Sequence, residues 1–571
     1  MTKWTWRTLL AGLSLFAVLS VAVACGDDDD DDGGTAATTA PGQATAPPGA
    51  AKPSGTITIG AQQFETWDPH FSDFAQDIEH FFMVWRGLYQ FDSQSKPIPS
   101  MAEGAPQVSA DGKTYTIKLK KDLKWSDGQP LTAEDFVLGT QRTCDFSIAG
   151  HYQYILTAIA GCDAAYDAKN KDKSAAEIET LRKAVGVRAV DPTTVEFKLT
   201  DPQITFPILL AMWPTFPVPK HLVKTVDAKW FAPLQGAYNG PFLPKAYTEK
   251  ASMELVPNPN WAGSEKPKVE KIVLRYVDLT VLNNAYRAGE VDATVANESE
   301  LDKLRTEFPK ELHLYPATRT VGWEFNMKDE LMAKDGVRLA LSQATDRALM
   351  MKVVFKDGNT ATTNWVPPLR SGVKEKTYDD AIGFNVAKAK DNLAKAGYAN
   401  GAGFPKLTLL QSESATNKAL GEFIQAEWKK HLNINIELEF TDGKTRSSRF
   451  NASQFQIVAG GWQEDYPDSE NWFLGLWETG GSINKTNTSI PALDALIKQA
   501  KFNANNEQRL QQYRDAEKLL LEKVSGIAPF YHTQAKFLVK PHIKGMVENK
   551  RPGDTFVPGG WDPEFWSTTK K

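Results

Sequence analysis

Hydrophobic and polar positions alternate along this chain with two different periods. Stretches such as "GTITIGAQQF", "KTYTIKLKKDLKWSDG" and "VRAVDPTTVEFKLTDP" place apolar residues at every second position, which predicts half-buried β-strands. The last stretch should be a hairpin that turns at Asp191-Pro192. Stretches such as "LTAEDFVLGTQRTC" and "NVAKAKDNLAKAG" repeat every three to four positions, which predicts helices. Thr132 and Asp135 are spaced as a capping box at the start of the first of these helices.

The two periods are unevenly distributed along the chain. Short strand patterns dominate from about Gln90 to His221, whereas helices and strands alternate from about Thr318 to Glu517. In the second region "KLTLLQS" and "NINIELEF" flank a helical stretch, which is the βαβ order of an α/β lobe. Because no boundary resembles a flexible linker, we expect a mixed α/β and α+β body whose lobes pack together.

The first 53 residues show neither period. "MTKWTWRTLLAGLSLFAVLSVAVAC" has a basic start and an apolar run that is short for a membrane span, which predicts a secretory signal over residues 1–24. Small residues before Cys25 are similar to the bacterial lipobox, which predicts lipidation of Cys25; plain cleavage and an uncleaved anchor are the alternatives. Residues 25–53 lack Leu, Ile, Val and aromatic residues, so we expect a disordered tether.

Charge and cysteine content narrow the class of protein. Asp27 to Asp32 lie in the tether and dominate the net charge of −5, so the body is nearly neutral. A nearly neutral body without basic runs argues against nucleic acid as a partner. Disulfides persist in exported compartments, so the pair Cys144 and Cys162 predicts a disulfide; two buried free thiols are the alternative.

The sequence contains no signature of a common enzyme class. His-Glu-x-x-His, Gly-x-Ser-x-Gly and Gly-x-Gly-x-x-Gly are absent, and the eight histidines do not pair at metal-ligand spacing. We therefore predict no catalytic residue, no metal site and no cofactor. The stretch "GGWQEDYPD", residues 460–468, instead crowds three carboxylates between aromatic rings. Buried carboxylates are costly without a cation, so a metal, an internal arginine or a charged ligand should meet them.

Several segments resemble the oligopeptide/dipeptide-binding family of extracytoplasmic solute-binding proteins, which serve ABC importers. The most diagnostic run is Gly87 to Gly139, preceded by "TWDPHFS" and followed in the expected order by "FPVPKHLV", "AYRAGEVDA" and "WEFNMKDELMAKDGVRLALSQATDR". "GGWQEDYPDSENWF" is similar to the Trp-x-x-Asp-Tyr motif of the peptide-binding members. The resemblance extends from about Gly55 to Trp561.

The resemblance implies a two-lobed clamshell with the ligand enclosed between the lobes. Lobe I would comprise residues 54–89, 222–317 and 518–571, with an extra domain over 90–221 packed on it, and lobe II would comprise residues 318–517. The closed form would dock on a membrane permease. We expect a monomer that is extracytoplasmic and held on the cell membrane by its lipid anchor.

The resemblance also suggests ligand-binding residues. In peptide-binding members the Asp of the motif meets the peptide α-amino group, and here that residue is Asp465; Trp462 would wall the site, and Tyr466 completes the motif. Some relatives receive the carboxylate of short peptides on basic residues, but this chain has Asn417 and Ala459 at those positions. Asn417 remains a candidate hydrogen-bonding residue, and a longer peptide becomes more plausible.

The function predicted from these observations is peptide capture for import, without catalysis. The alternative within the same fold is an oligosaccharide, an opine or a metal chelate as the ligand. A surface hydrolase would need a nucleophile, a metal or a carboxylate pair in the cleft, and a sensory receptor domain would present its ligand to a signalling partner.

Overall fold

The structure is a computed structural model that describes residues 52–223, 232–278, 281–548, 553 and 556–570. The predicted signal sequence, Cys25 and nearly all of the predicted tether lie outside the described residues. Within the described part of the chain, no helix combines the length and apolar character that a bilayer span requires.

The largest sheet of the described residues is mixed and contains eleven strands. Its order, from one edge to the other, is Ile436–Thr441, Leu407–Ser412, Ile457–Gln463, Leu312–Phe325, Ile527–Val539, Ala293–Val295, Thr56–Ala61, Lys271–Tyr276, Ser252–Pro257 and Phe242–Thr248. The eleventh strand, Asn359–Ala361, pairs with Ile527–Val539 off this path. Parallel pairs occur where helices connect the strands, as between Leu407–Ser412 and Ile436–Thr441.

Two hydrophobic cores lie along this sheet. The first core contains Ile57, Trp85 and Leu255 with the other buried residues of the early and late chain, and the second contains Trp323, Trp428 and others between residues 321 and 530. Two clusters of buried apolar side chains, each with its own helices, are the packing expected of two lobes.

Two long antiparallel strands, Leu312–Phe325 and Ile527–Val539, run through both cores. The first strand passes between the cores at residues 318–320, next to a register shift. The second passes between the cores at about residues 531–534, and the lobe bounds given above stay predictions. Residues 518–530 belong to the second core because Leu520 and Leu521, on the helix Asn506–Glu522, are buried in it.

The region 90–221 has its own small sheet on the first core. Its strands lie in the order Gln107–Val108, Thr114–Lys118, Thr194–Lys198 and Val187–Asp191, and the last two form the predicted hairpin. The capping box of Thr132 and Asp135 opens the helix Ala133–Thr143 as predicted. Cys144 and Cys162 form a disulfide, which confirms that prediction.

The described residues also form α-helices that connect and flank the strands. The α-helices are Ala75–Val84, Ala133–Thr143, Cys162–Tyr166, Ala175–Lys183, Phe206–Leu209, Leu282–Arg287, Leu301–Glu307, Asp335–Gln343, Arg347–Val353, Pro368–Ser371, Asp379–Ile382, Val386–Lys395, Ala415–Leu432, Gly443–Asn451, Pro491–Lys501 and Asn506–Glu522. The stretch "DGVRLALSQATDRALMMKVVF" forms two of them because the Asp346 side chain accepts from the Leu349 N–H and starts a new helix. The remaining short elements of the described residues are 3₁₀ turns and two strand pairs, Tyr89–Phe91 with Pro97–Pro99 and Ile543–Lys544 with Ser567–Thr568.

Candidate functional site

Three cavities lie side by side along the strand Ile457–Gln463, between residues of the two cores. The anchor cavity, about 310 Å³, is lined by Asp73, Tyr152, Trp213, Arg319, Trp462 and Asp465, among others. The aromatic cavity, about 590 Å³, is lined by Tyr154, Tyr166, Trp365, Trp462 and Trp477, among others. The basic cavity, about 470 Å³, is lined by Arg319, Glu324, Gln411, Asn417 and Arg446, among others. Gly461 contributes to all three, so the cavities form a continuous cleft.

Two glycines before Trp462 allow this strand to border the cleft. A Cβ on Gly460 would lie 2.7 Å from Oε1 of Glu324, and a Cβ on Gly461 would lie 1.9 Å from the carbonyl oxygen of Thr320. Because the φ of Gly461 is +156°, a side chain there would also strain the backbone. The "GG" of the sequence motif therefore admits the Glu324 carboxylate and keeps the strand close to its neighbour.

Asp465 is a buried carboxylate whose partners in the described structure are all neutral. The hydroxyls of Tyr152 and Tyr154 donate to its Oδ1 and Oδ2, each at 2.7 Å, and Asn471 Nδ2 lies 3.4 Å from Oδ2. Burial raises the pKa of Asp465 to about 6, and the three hydrogen bonds oppose that rise. Hydrogen bonds from neutral donors solvate the charge without cancelling it, so the site still favours a cation.

The two tyrosines come from a segment that the sequence analysis did not single out. Tyr152 and Tyr154 lie on the 3₁₀ turn His151–Leu156, inside the loop closed by the Cys144–Cys162 disulfide. Their rings lie 5.8 Å apart, and Tyr152 packs edge-on against Trp213 at 4.5 Å. The only signal in the sequence is "YQY" between two cysteines, which does not indicate what the hydroxyls contact.

The other carboxylates of the motif meet internal arginines. Glu464 accepts two hydrogen bonds of 2.7 Å from the guanidinium of Arg370, in the paired geometry typical of strong Arg–carboxylate contacts. Asp468 accepts from Arg509 in the same paired way. Of the three carboxylates between residues 460 and 468, Asp465 alone has no ion pair within the described residues.

The remaining predicted residues are placed differently. Trp462 is partly buried, borders both the anchor and the aromatic cavities, and donates from Nε1 to Oδ1 of Asn471 at 2.9 Å. Tyr466 is 1% exposed and belongs to the first core, where its hydroxyl is buried without a hydrogen-bond partner in the described structure. Asn417 lies in the first turn of the helix Ala415–Leu432 and lines the basic cavity, where its Nδ2 donates to Ser412.

The basic cavity contains a cation that the sequence analysis missed. Arg446, on the helix Gly443–Asn451, donates from Nη2 to the carbonyl oxygen of Ala459 at 2.8 Å, so it lies where the expected basic residues were absent. Both side-chain polar atoms of Gln411 in this cavity are buried without a partner in the described residues. The pKa of Glu324, also in the lining, is raised to about 7 by burial, although Arg446 and Arg319 oppose the rise. The arrangement suits a polar or charged group of a ligand.

The described residues contain no group of three or more His, Cys, Asp or Glu side chains that could hold a metal ion. The charged side chains of the cleft belong instead to ion pairs or face the cavities singly.

Comparisons with known proteins agree with this architecture. The family described as bacterial extracellular solute-binding proteins, family 5 (middle), matches residues 96–484. The chain belongs to this family. This result confirms the resemblance and the mixed α/β, two-lobed fold predicted from the sequence.

Individual relatives in this family match over most of the chain. The periplasmic oligopeptide-binding protein OppA of Escherichia coli is 29% identical over 512 residues, 88% of this chain and 91% of that protein. A probable deoxycholate-binding periplasmic protein, YgiS of Escherichia coli, is 29% identical over 81% of this chain and 85% of its own length. The solved structure of the Escherichia coli murein tripeptide binding protein MppA superposes with a TM-score of 0.77, at 26% identity, over 91% of this chain and 99% of that one.

Proposed function

We propose that this protein is the ligand-capturing component of an ABC importer, that it binds peptides in the cleft between its two cores, and that it delivers them to a membrane permease. Its family membership and the peptides named for the relatives OppA and MppA support the class of protein and of ligand. The observation that carries the proposal is Asp465, a carboxylate that is 8% exposed, borders the cleft and has no counter-ion among the described residues.

A peptide supplies the cation that Asp465 lacks. Every unmodified peptide carries an α-ammonium group, and its pairing with a buried carboxylate is stronger than the same pair at a surface. Tyr152 and Tyr154 would hold the carboxylate in position for the amine, and Trp462 would form the wall beside it. Anchoring one end that all peptides share leaves their side chains free to vary.

The neighbouring strand provides a surface for the peptide main chain. On one side, all seven residues of the strand Ile457–Gln463 pair with Leu312–Phe325. On its other side, among the described residues, Ile457 and Val458 alone have strand partners, which are Leu409 and Leu410. Among the described residues the edge from 459 to 463 therefore has no strand partner. An extended peptide can add to such an edge through backbone hydrogen bonds, which gives affinity without selecting particular side chains.

The test is to identify what the protein carries. Protein natively purified from the producing cell would be denatured, and the released molecules would be analysed by mass spectrometry. A ladder of peptides with free amino termini is the expected result. A sugar, a chelate or a steroid-like acid as the sole released molecule would contradict the peptide proposal, because none of these pairs an ammonium group with Asp465.

We further propose that the protein works outside the cytoplasm as a monomer held on the membrane through lipid on Cys25. The supporting observation is the sequence pattern before Cys25, and the word "periplasmic" in the names of several relatives is consistent with export. The full chain should partition into the detergent phase of a phase-separating detergent. The Cys25→Ser variant should remain in the aqueous phase or keep its signal sequence; equal partitioning of both mature forms would contradict lipidation.

A further inference from the structure

The aromatic cavity is distinct in shape and chemistry from the rest of the cleft. Its volume of about 590 Å³ exceeds that of the anchor and basic cavities, and aromatic rings from both cores face it. Tyr154 and Tyr166 belong to the first half of the chain, and Trp365 and Trp477 belong to the second core. Polar side chains such as Gln153, Asn451 and Thr486 also line the cavity. Aromatic walls combined with placed polar groups are typical of cavities that bind and orient a ligand.

The polar atoms of several of these rings are already bonded to the protein. The Tyr154 hydroxyl donates to Asp465, the Tyr166 hydroxyl donates to the carbonyl oxygen of Gly150 at 2.9 Å, and Trp365 Nε1 donates to the carbonyl oxygen of Trp472 at 2.7 Å. These bonds fix the rings in place and turn their polar atoms toward the protein. The surface that remains for a ligand is mainly ring face, which binds apolar and aromatic groups.

The charged side chains of the lining, other than Glu324, are also engaged. His151 pairs with Asp73, and Lys485 donates from Nζ to the carbonyl oxygen of Ser482 at 2.7 Å. Glu324 lies where the aromatic and basic cavities meet, since it lines both. The aromatic part of the cavity, away from Glu324, therefore favours an uncharged, bulky group.

The position of the cavity relative to Asp465 identifies the part of the ligand that reaches it. An ammonium nitrogen bonded to Asp465 lies about 2.8 Å from the carboxylate, and the first Cα of the peptide is about 1.5 Å further. The rings of Tyr152 and Tyr154, whose hydroxyls hold that carboxylate, also line the aromatic cavity. Successive side chains of an extended peptide point to opposite sides, so one of the first two side chains faces this cavity and the other does not.

We propose that the aromatic cavity selects peptides that carry a large aromatic or aliphatic side chain at one of their first two positions. The proposal rests on the proposed function, since it needs the peptide amine at Asp465. Full burial of a Phe side chain gives roughly ten- to hundredfold tighter binding than an exposed one. The cleft thus binds peptides in general but ranks them by the residue beside the amino end.

The experiment compares four tetrapeptides by titration calorimetry on protein freed of bound ligand by unfolding and refolding. The set is Ala-Ala-Ala-Ala, Phe-Ala-Ala-Ala, Ala-Phe-Ala-Ala and Ala-Ala-Ala-Phe. One of the two peptides with Phe near the amino end should bind at least tenfold more tightly than Ala-Ala-Ala-Ala. Equal affinity for all four, or tightest binding of Ala-Ala-Ala-Phe, would overturn the proposal.

A variant that fills the cavity gives an independent readout. Ser482 is an exposed residue of the lining, so Ser482→Trp should place a ring at the cavity without disturbing either core. Its affinity for the preferred Phe peptide should fall about tenfold, toward that of Ala-Ala-Ala-Ala, whose own affinity should not change. Ser448→Trp is the matched control, because Ser448 is also exposed but does not line the cavity. A loss equal in both variants would count against the proposal.

The two proposals fail in different ways. If none of the four tetrapeptides binds and the natively purified protein releases no peptides on denaturation, the peptide function itself is wrong. If all four bind with one affinity, peptide binding stands and the selectivity of the aromatic cavity is wrong.

Discussion

Asp465 and Glu464 are adjacent carboxylates with the same burial and opposite surroundings. Each residue is 8% exposed, yet Glu464 is paired with Arg370 whereas Asp465 is bonded to two tyrosine hydroxyls and an amide. Glu464 is neutralised by Arg370, whereas Asp465 is held in position by neutral donors and has no counter-ion among the described residues. Burial alone therefore does not separate the two residues; they differ because Asp465 has no counter-ion among the described residues.

The largest expected effect is on stability and concerns Glu464. Glu464→Gln leaves the guanidinium of Arg370 buried without its partner, which typically costs about 3–5 kcal/mol of unfolding free energy. Denaturant unfolding of the ligand-free protein measures this loss. The double variant Glu464→Gln with Arg370→Met should recover much of it, because no unpaired charge then remains.

Asp465→Asn should show the reverse behaviour. The unfolding free energy of the ligand-free protein should change by less than about 1 kcal/mol, because no internal ion pair is broken. Peptide affinity should fall by about 2–5 kcal/mol, because the ligand ammonium loses its charged partner. Calorimetry with a bound peptide measures the change, and a loss below about 1 kcal/mol would refute the role of Asp465 as the amine anchor.

The Cys144–Cys162 disulfide closes the loop that carries the two tyrosines bonded to Asp465. Cys144 and Cys162 are separated by 18 residues, and Tyr152 and Tyr154 lie between them. Closing a loop of that length contributes about 3 kcal/mol to stability, so Cys144→Ala with Cys162→Ala should lower the unfolding free energy by about that amount. If the loop positions Asp465's donors, peptide affinity should also fall in the double variant. Reduction of the wild-type disulfide that leaves both quantities unchanged would contradict this prediction.

The pH dependence of binding is a smaller effect with a defined sign. The pKa of Asp465 is raised to about 6 in the ligand-free protein, and the ligand ammonium favours the ionised form. Binding below pH 6 therefore requires loss of a proton, so affinity should be full above pH 6 and fall by up to about tenfold per pH unit below it. Because the folded pKa exceeds the unfolded value, this group stabilises the ligand-free protein most below about pH 4, and that contribution is lost as the pH rises through about 6.

Two variants assign the pH effect to Asp465. Asp465→Asn should remove the dependence between pH 5 and 7. Tyr154→Phe removes one donor to the ionised carboxylate and should move the midpoint upward, by about one unit for a contribution near 1.4 kcal/mol. Tyr166→Phe is the control, because its hydroxyl bonds to Gly150 and not to Asp465. Equal midpoints in both tyrosine variants would indicate that another group titrates.

Local patterns in the sequence determined much of this molecule. Strand and helix periodicity, the capping box at Thr132 and the hairpin at Asp191 depend on neighbours within a few residues, so they could be predicted. Long family motifs indicated the fold, and two cysteines beyond Cys25 in a chain with a predicted secretory signal indicated the disulfide. The lobe bounds at 318 and 518 stay predictions, because packing against the two cores, and not a change in local pattern, decides to which core each residue belongs.

Only the tertiary structure decided which carboxylate of "GGWQEDYPD" has no cation beside it among the described residues. Arg370 lies 94 residues from Glu464 along the chain, and Tyr152 lies 313 residues from Asp465, so no periodicity or spacing relates them. Folding brings these partners within hydrogen-bond distance, and the burial that results raises the pKa of Asp465. The sequence by itself determined that a charged motif follows a strand. Long-range packing selected Asp465 because charge compensation depends on distances of a few ångströms that local sequence does not specify.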